Sequence, residues 1–414
     1  MGVEICHSAW NAGVSDIWGM ASVEKEPLRV LHLASWYPTA VHGTLGNFVQ
    51  RHVEAVATMH RCEVLAAVED AGVGSVVRFT EDRPGGAGRE PIRTHRIHVP
   101  PRRPHAFFAT RALVDLGRTL ERPDLIHLHV AYPAGAAARR LAAYWGVPLV
   151  LTEHWTVYGR TAWADCPAWR RWDMRRTGAA ADCICPVTRG LGEDMQAAGV
   201  GRNGLFVPVP NVVDTGLFHP QEPGAGEEPL TLLHISSLVD HHKNISGLLR
   251  ALAMCLPELP GLRVRIIGDG DPEPHRRFAE ALGIGDRIHW GTEIPLAQVA
   301  AEMRQAHALV LFSHFENFPC VIGEAWASGI PVFATRVGGI AEYLDAAHGA
   351  LVERGDEAGL ARVLRDWVNG RRWDPVRLRS TATDRFSLPA VAEAYDRVYR
   401  TLLDPAEGSQ PVRR

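Results

Sequence analysis

The stretch Ser313–Leu344, SHFENFPCVIGEAWASGIPVFATRVGGIAEYL, places two carboxylates eight positions apart, Glu316 and Glu324, on either side of Pro319. Ala308–Phe312 ahead of it is an apolar strand, and Glu316 falls in the polar loop that follows. Pro319 suits the first position of a helix, where its missing N–H is not needed. Glu324 then lies about one and a half turns into that helix, which Gly329 and Pro331 end before a second strand at Val332–Thr335. This order brings two acids and a helix N-terminus to the C-terminal edge of a parallel sheet, where open α/β sheets bind ligands. A helix N-terminus attracts phosphate and carboxylates accept hydrogen bonds from hydroxyls. Phosphate plus polyol describes a nucleotide sugar, although a βαβ unit with a capping Glu has the same outline.

The elements around this stretch fall into two α/β halves. In the first, strands are expected at Arg29–Ser35, Glu63–Ala67, Asp124–Val130, Pro148–Glu153, Cys183–Val187 and Leu205–Val209, with helices at Phe48–His60 and Ala134–Trp145. The segment HPQEPGAGEEP, His219–Pro229, has nothing to bury and reads as a linker. The pattern then restarts, with strands at Leu230–Ile235, Arg263–Gly268 and Ile288–Gly291 and a helix at Ile245–Cys255. Alternating strands and helices imply two doubly wound parallel sheets, which would face each other across a cleft. The resulting division is an extension at 1–27, a first domain at 28–218, a linker at 219–229, a second domain at 230–386, a helix at 387–404 and a tail at 405–414. Val391, Ala394, Tyr395, Val398 and Leu402 share one face of that last helix.

Composition narrows the function. A chain of 414 residues with 46% hydrophobic and 22% charged residues has the make-up of a globular protein with a large core. Its net charge of −3 does not suggest a nucleic-acid partner. Arg29–Asp214, however, holds 22 basic and 17 acidic residues, so the first half suits an anionic partner or membrane surface. Pro101–Arg122 and the run WRRWDMRR at Trp169–Arg176 combine Arg with aromatic and apolar residues, as interfacial helices do, and also as solvated arginine-rich faces do. Seven cysteines without a CxxC pair read as reduced thiols, with Cys183 and Cys185 in a core strand. No signal peptide or run of ~20 apolar residues is visible, so the cytoplasm is the expected compartment.

The motifs in the second half resemble those of the family 4 retaining glycosyltransferases, which have the GT-B fold; the likeness runs from about Leu28 to Leu403. The family pattern is a loop acid, seven residues and a helix acid, then small-Gly-x-Pro-Val and Gly-Gly-x-x-Glu. It is met by Glu316, Glu324, Ser328-Gly329-Ile330-Pro331-Val332 and Gly338-Gly339-Ile340-Ala341-Glu342. The resemblance implies that Glu324 binds the donor ribose and that Glu316 binds donor-sugar hydroxyls. Backbone N–H groups near Phe318, Cys320 and Val321 would help, and the helix after Pro319 would face the diphosphate. Lys243, one of only two lysines in the chain, matches the family's phosphate-binding Lys. Where the family has Gly-Arg-Leu, this chain has Ser236-Ser237-Leu238 and one extra residue before the Lys, so Ser237 stands at the donor site in place of Arg.

In the first half, Gly43–Gly46 resembles the glycine loop that lies against the donor diphosphate, and reads equally as an ordinary turn. Thr152-Glu153-His154 resembles the Thr-x-His whose histidine contacts the donor sugar. Asn211 to Asp214 and Phe218 match Pro-Asn-x-x-Asp-x-x-x-Phe, read as mainly structural. The implied catalytic group is therefore Glu316, Lys243 and His154, with Glu324, Phe318, Cys320, Val321, Gly46 and Ser237 binding the donor. The family needs neither metal nor cofactor. The implied reaction moves a sugar from a nucleotide sugar to a glycan or lipid-linked glycan acceptor in cell-surface polysaccharide or glycolipid assembly.

Other readings are a nucleotide-sugar epimerase of the same fold and a non-catalytic donor-binding subunit. Asp269-Gly270-Asp271 has the form of an Asp-x-Asp metal site but sits at a Gly-rich strand end, where these are ordinary turn residues. His127/His129 and His241/His242 lack a second pair at zinc-site spacing. Neither Gly43–Gly46 nor Gly268–Gly270 supplies the Gly-x-Gly-x-x-Gly of a hydride-transfer enzyme.

Overall fold

The computed structural model describes residues 26–39, 45–84, 90–101, 105–202, 204–221 and 229–404. Most of the 1–27 extension, Gly43, the centre of the expected linker and the 405–414 tail lie outside the described residues.

Two sheets form the frame. The first comprises β1 (Arg29–Ala34), β2 (Arg61–Glu69), β3 (Val77–Arg83), β4 (Ile92–Val99), β5 (Leu125–His129), β6 (Leu149–Glu153), β7 (Cys183–Pro186) and β8 (Leu205–Phe206). Their spatial order is 3-4-2-1-5-6-7-8. The second comprises β9 (Thr231–Ile235), β10 (Arg263–Ile267), β11 (Ile288–Gly291), β12 (Ala308–Leu311), β13 (Val332–Thr335) and β14 (Gly349–Val352), ordered 11-10-9-12-13-14. Strand order reverses between β1 and β5 in one sheet and between β9 and β12 in the other. Each reversal opens a crevice at the C-terminal ends of the strands.

The second sheet is parallel throughout; the first departs from the parallel expectation at its edge, where β3 runs antiparallel to β4. Neither β3 nor β4 carries a readable pattern. VRFTEDR is an exposed edge strand, polar because one side faces water. IRTHRIHV is nearly all buried, but its Arg and His residues pair with groups on β2 and β3. The expected Leu205–Val209 strand shortens to two residues.

Helices cover both faces of each sheet. On the first, His105–Gly117, Gly135–Trp145 and Ala168–Ala180 pack one face, and Asn47–Ala57 packs the other. Asn47–Ala57 shares its cluster with Leu388–Leu403, a helix that follows the second domain in sequence but docks on the first. Phe386, two residues earlier at the end of the preceding helix Pro375–Phe386, is buried in the core of the second domain. The chain therefore crosses between lobes twice at one place: Val213 bridges Ser387, and its N–H donates to the Phe386 carbonyl at 2.7 Å. Ser387 then caps the returning helix by accepting from the Ala390 N–H.

Candidate active site

The second-domain wall of the cleft grows from the ends of β9 and β12, the two strands at the reversal. The loop after β12 carries Glu316 and leads into the helix Cys320–Ala327. Pro319 is the N-cap of that helix (φ −64°, ψ 133°), one position earlier than the sequence suggested, because its extended ψ turns the chain into the first turn. Its missing side-chain donor or acceptor leaves the helix start without a side-chain cap. Glu324, the fifth helical residue, is almost fully buried. Gly338, at φ +52°, closes the back of the loop; a Cβ there would collide with the Glu316 carbonyl oxygen. The Gly-Gly turn thus lets β13 return against the loop that holds the acid.

Lys243 ends a short helix after β9 and reaches that same acid. Its Nζ lies 2.5 Å from Glu316 Oε1, which also accepts from Ser313 Oγ at 2.8 Å. Residues 73 positions apart are thereby joined at the sheet reversal. Ser237 sits half-buried between β9 and the Lys243 helix; like Lys243, Glu316 and His154 it is not among the residues that line the cleft. Phe318 is packed against Trp326, Tyr343 and Phe386, leaving only its backbone to face a ligand. Asp269 and Asp271, the other acid pair, show no approach to this site; Asp271 accepts from the Glu273 N–H, as a turn residue does.

The first-domain wall begins with Gly46, at φ +79°, the left-handed N-cap of the helix Asn47–Ala57. Asn47, Phe48 and Arg51 from this helix line a cleft of about 660 Å³ together with Ile235, Glu293–Leu296, Val299, Cys320, Val321 and Glu324. That volume suits a small ligand. Arg51 crosses the cleft, its Nη1 2.6 Å from Glu324 Oε1, with both side chains largely buried. Burial works against the Arg51 charge, but Glu324 and Cys320 outweigh it and hold its pKa above the ordinary value. Burial pushes the Cys320 thiol up to about 11, so it is not a reactive thiolate. Arg51 and the apolar wall Ile294–Leu296 were not identifiable as site residues. The former is the one arginine of an amphipathic helix in an arginine-rich chain, and the latter runs from the loop after β11 into the first residue of the next helix.

His154 follows β6. Glu153 beside it is fully buried and accepts from the Ala131, His154 and Trp155 N–H groups and the Tyr158 hydroxyl. Burial raises the Glu153 pKa, with those four donors opposing it. The result is a rigid loop that orients His154. Its Nδ1 lies 3.1 Å from Asn211 Oδ1, and the Asn211 amide nitrogen donates to the Phe318 carbonyl at 2.8 Å. Asn317 Nδ2 donates to the His154 carbonyl at 2.6 Å. Burial first, then the neighbouring His52, drives the His154 pKa well below 6.5, leaving it neutral. A further contact between the lobes comes from Glu342, the last residue of the Gly-Gly-x-x-Glu motif. Its carboxylate accepts from the Arg189 and Gly190 N–H groups at the start of the helix Arg189–Ala197.

Behind His154 the first sheet presents a buried polar face. His32 on β1 joins His127 and His129, a single third histidine rather than a second pair, and one nitrogen of each ring lies within 4.8 Å of the others. Alternation along the strands accounts for it, since His32, His127, His129 and Thr152 all face the returning helix. Both His127 nitrogens are engaged, by Tyr399 and by Thr152 at 2.7 Å each, and His32 Nδ1 lies 3.1 Å from His129 Nε2, while His32 Nε2 and His129 Nδ1 have no hydrogen-bond partner among the described residues.

Two parallel-sheet lobes facing a cleft, with a Lys–Glu pair and a helix N-terminus at the sheet reversal, define a GT-B glycosyltransferase architecture. Comparison with known proteins agrees: "Glycosyl transferases group 1" matches residues 218–385 and "Glycosyl transferase 4-like domain" matches residues 62–211. A D-inositol 3-phosphate glycosyltransferase from Frankia alni is 30% identical over 73% of this chain and 80% of its own length. A glycogen synthase from Mycobacterium tuberculosis is 26% identical over 90% of this chain and 94% of its own. Among solved structures, sucrose-phosphate synthase from Thermosynechococcus elongatus superposes with a TM-score of 0.72 at 21% identity, covering 91% of this chain and all of that one. The chain belongs to the family 4 glycosyltransferases.

Proposed function

We propose that this glycosyltransferase moves a sugar from a nucleoside diphosphate sugar to an acceptor hydroxyl with retention of configuration, in the assembly of a cell-surface polysaccharide or glycolipid. The observation that carries this reading is that Glu324 and the uncapped start of its helix line the cleft, while the loop leading into that helix carries Glu316 paired with Lys243. The apolar wall Ile294–Leu296 suits a nucleobase, Glu324 the ribose hydroxyls and Glu316 the sugar hydroxyls. Lys243 and the helix start would face the diphosphate and stabilise the negative charge it gains as the glycosidic bond breaks.

A donor must compete for groups that pair with one another in the free protein. Arg51 leaves Glu324 as the ribose arrives, and Lys243 leaves Glu316 for phosphate. The acceptor hydroxyl then attacks from the face the diphosphate leaves, bonds to the anomeric carbon, and gives its proton to the departing phosphate oxygen. The positive charge for this step comes from Lys243, Arg51 and the helix start, so a divalent metal is not required in this scheme. Ser237 in place of the family's Arg leaves Lys243 a larger share of the diphosphate charge.

The acceptor side is read as a glycan or lipid-linked glycan at the inner face of the plasma membrane. Among the described residues no helix is long and apolar enough to cross a membrane. Trp169 and Trp172 are more than half exposed on Ala168–Ala180, and Phe107 on His105–Gly117, beside Arg111, Arg175 and Arg176. Both helices flank Gly135–Trp145 on the same face of the first sheet, a surface suited to anionic lipid. Co-sedimentation with anionic but not zwitterionic liposomes is expected; binding to neither ends the membrane reading.

The transfer reading is tested by a thermal-shift screen against nucleoside diphosphates and their sugars, with chelator and then with magnesium. A chelator-resistant rise with one nucleotide identifies the donor base. Product analysis by NMR then gives the anomeric configuration, and inversion would overturn retention. No shift with any nucleotide would overturn the donor site assigned here.

A further inference from the structure

A hydrogen-bonded chain runs from the cleft into the first-domain core, and the direction of every link follows from chemistry. It starts at Asn211, which is 7% exposed and lies between lobes. The Phe318 carbonyl can only accept, so the group facing it at 2.8 Å is the Asn211 amide NH₂. Asn211 Oδ1 therefore faces the other way, and it too can only accept. His154 Nδ1, 3.1 Å away, must carry a proton, and so must His52 Nε2 at a longer 3.4 Å.

With its proton on Nε2, neutral His52 has a bare Nδ1, which accepts from the Tyr395 hydroxyl at 3.0 Å. Tyr395 has then spent its proton and accepts from Thr152 Oγ1 at 2.9 Å. Thr152 in turn accepts from His127 Nε2 at 2.7 Å, leaving His127 Nδ1 to accept from Tyr399 at 2.7 Å. No link conflicts with another, and the chain ends on the returning helix. Burial keeps the imidazoles neutral, lowering His52 to about 4 and His127 well below its usual value.

His154 Nε2 has no partner and is shielded from solvent in the free protein. The ring packs against Phe48, a lining residue of the cleft, at 4.5 Å between centroids. We propose that Asn211 is a positioning residue, oriented by the 316–319 loop of the opposite lobe, that holds His154 as the Nδ1–H tautomer and so makes Nε2 a hydrogen-bond acceptor for the ligand. The carbonyl that turns Asn211 belongs to the loop carrying Glu316, so the tautomer depends on the lobes being together. When they separate, the amide is free to turn and the tautomer is no longer imposed.

The consequence for the substrate rests on the transferase reading above. An acceptor nitrogen meets a hydroxyl and rejects a carboxylate, which would need a donor. The sugar position facing His154 is then a hydroxyl, as in a neutral hexose and unlike a uronic acid.

The test needs neither donor nor acceptor, so it stands or falls apart from the transferase reading. Two-bond ¹H–¹⁵N spectra of the full chain labelled with ¹⁵N-histidine report which ring nitrogen is protonated, and His154→Gln assigns the signal among 20 histidines. The expected result is a neutral His154 with its proton on Nδ1, and in Asn211→Leu a shift to a mixed or Nε2–H pattern. A purely structural Asn211 would lower the melting temperature of that variant and leave the His154 pattern unchanged, which overturns the proposal. An Nε2–H signal in the unmodified protein overturns it without any Asn211 variant, so poor folding of Asn211→Leu does not protect it.

Discussion

The two walls of the cleft are made in opposite ways. The second-domain wall is charged and local: Glu316, Glu324 and the helix start lie within nine residues, with Lys243 brought in from the next strand. The first-domain wall has Arg51 as the one charged residue of its lining, and the layer behind it is neutral and dispersed: His32, His52, His127, Thr152, His154, Asn211, Tyr395 and Tyr399 come from three strands, two helices and two loops. The charged wall suits a ligand with charge of its own. The neutral wall suits steering a sugar, because an imidazole held uncharged by burial offers direction without a competing electrostatic pull.

The largest expected difference between the walls is in acid. Burial sets the His32 pKa to about 3 and that of His52 to about 4, against 6.5 when unfolded. The unfolded chain therefore binds more protons below pH 6.5, and stability present above that value is lost as pH falls toward 4. The slope is about 1.4 kcal/mol per pH unit for each such histidine. Melting curves from pH 7.5 to 4.5 should show a steep fall below 6.5, shallower in His52→Gln. A flat profile would mean the buried wall is not held neutral.

The charged wall is broken by Lys243→Ala. Removing a preorganised group that stabilises a leaving charge costs about 10²–10³ in turnover. Steady-state rates with the identified donor check this, and near-normal turnover would place the phosphate elsewhere. Smaller is the effect of Tyr395→Phe, which leaves the Thr152–His52 link without its hydroxyl. Stripping a buried acceptor of its donor costs roughly 1–3 kcal/mol. Urea denaturation should show that loss while nucleotide binding is retained, and a matching loss of nucleotide affinity would tie the two walls together more closely than the contacts do.

The same contrast decides what could be read from the sequence. The charged wall was legible because β12, its loop, the helix and β13 are contiguous, and because one turn needs a glycine where a Cβ would strike Glu316. The helices Ile245–Cys255 and Leu388–Leu403 and the strands β11 and β13 follow directly from apolar period and turn residues. The neutral wall was not legible. His127 and His129 alternate with Leu128 like any half-polar strand, and only the returning helix shows that this face is buried. Tyr399 sits beside Val398 and Leu402 without a sign of its partner 272 residues away. Arg51 likewise meets Glu324 only because the lobes meet. β3 and β4 escaped notice because their polar residues satisfy one another at a sheet edge.

The central claim is that Glu324, on the charged wall, holds the nucleotide. Calorimetric titration of UDP, ADP and GDP into chelator-treated protein, and into Glu324→Ala, tests it most directly. At least one nucleotide should bind the unmodified protein, and the variant should bind it more weakly by about 1–3 kcal/mol. Failure of all three to bind, or equal affinity in the variant, would contradict the assignment of the donor site.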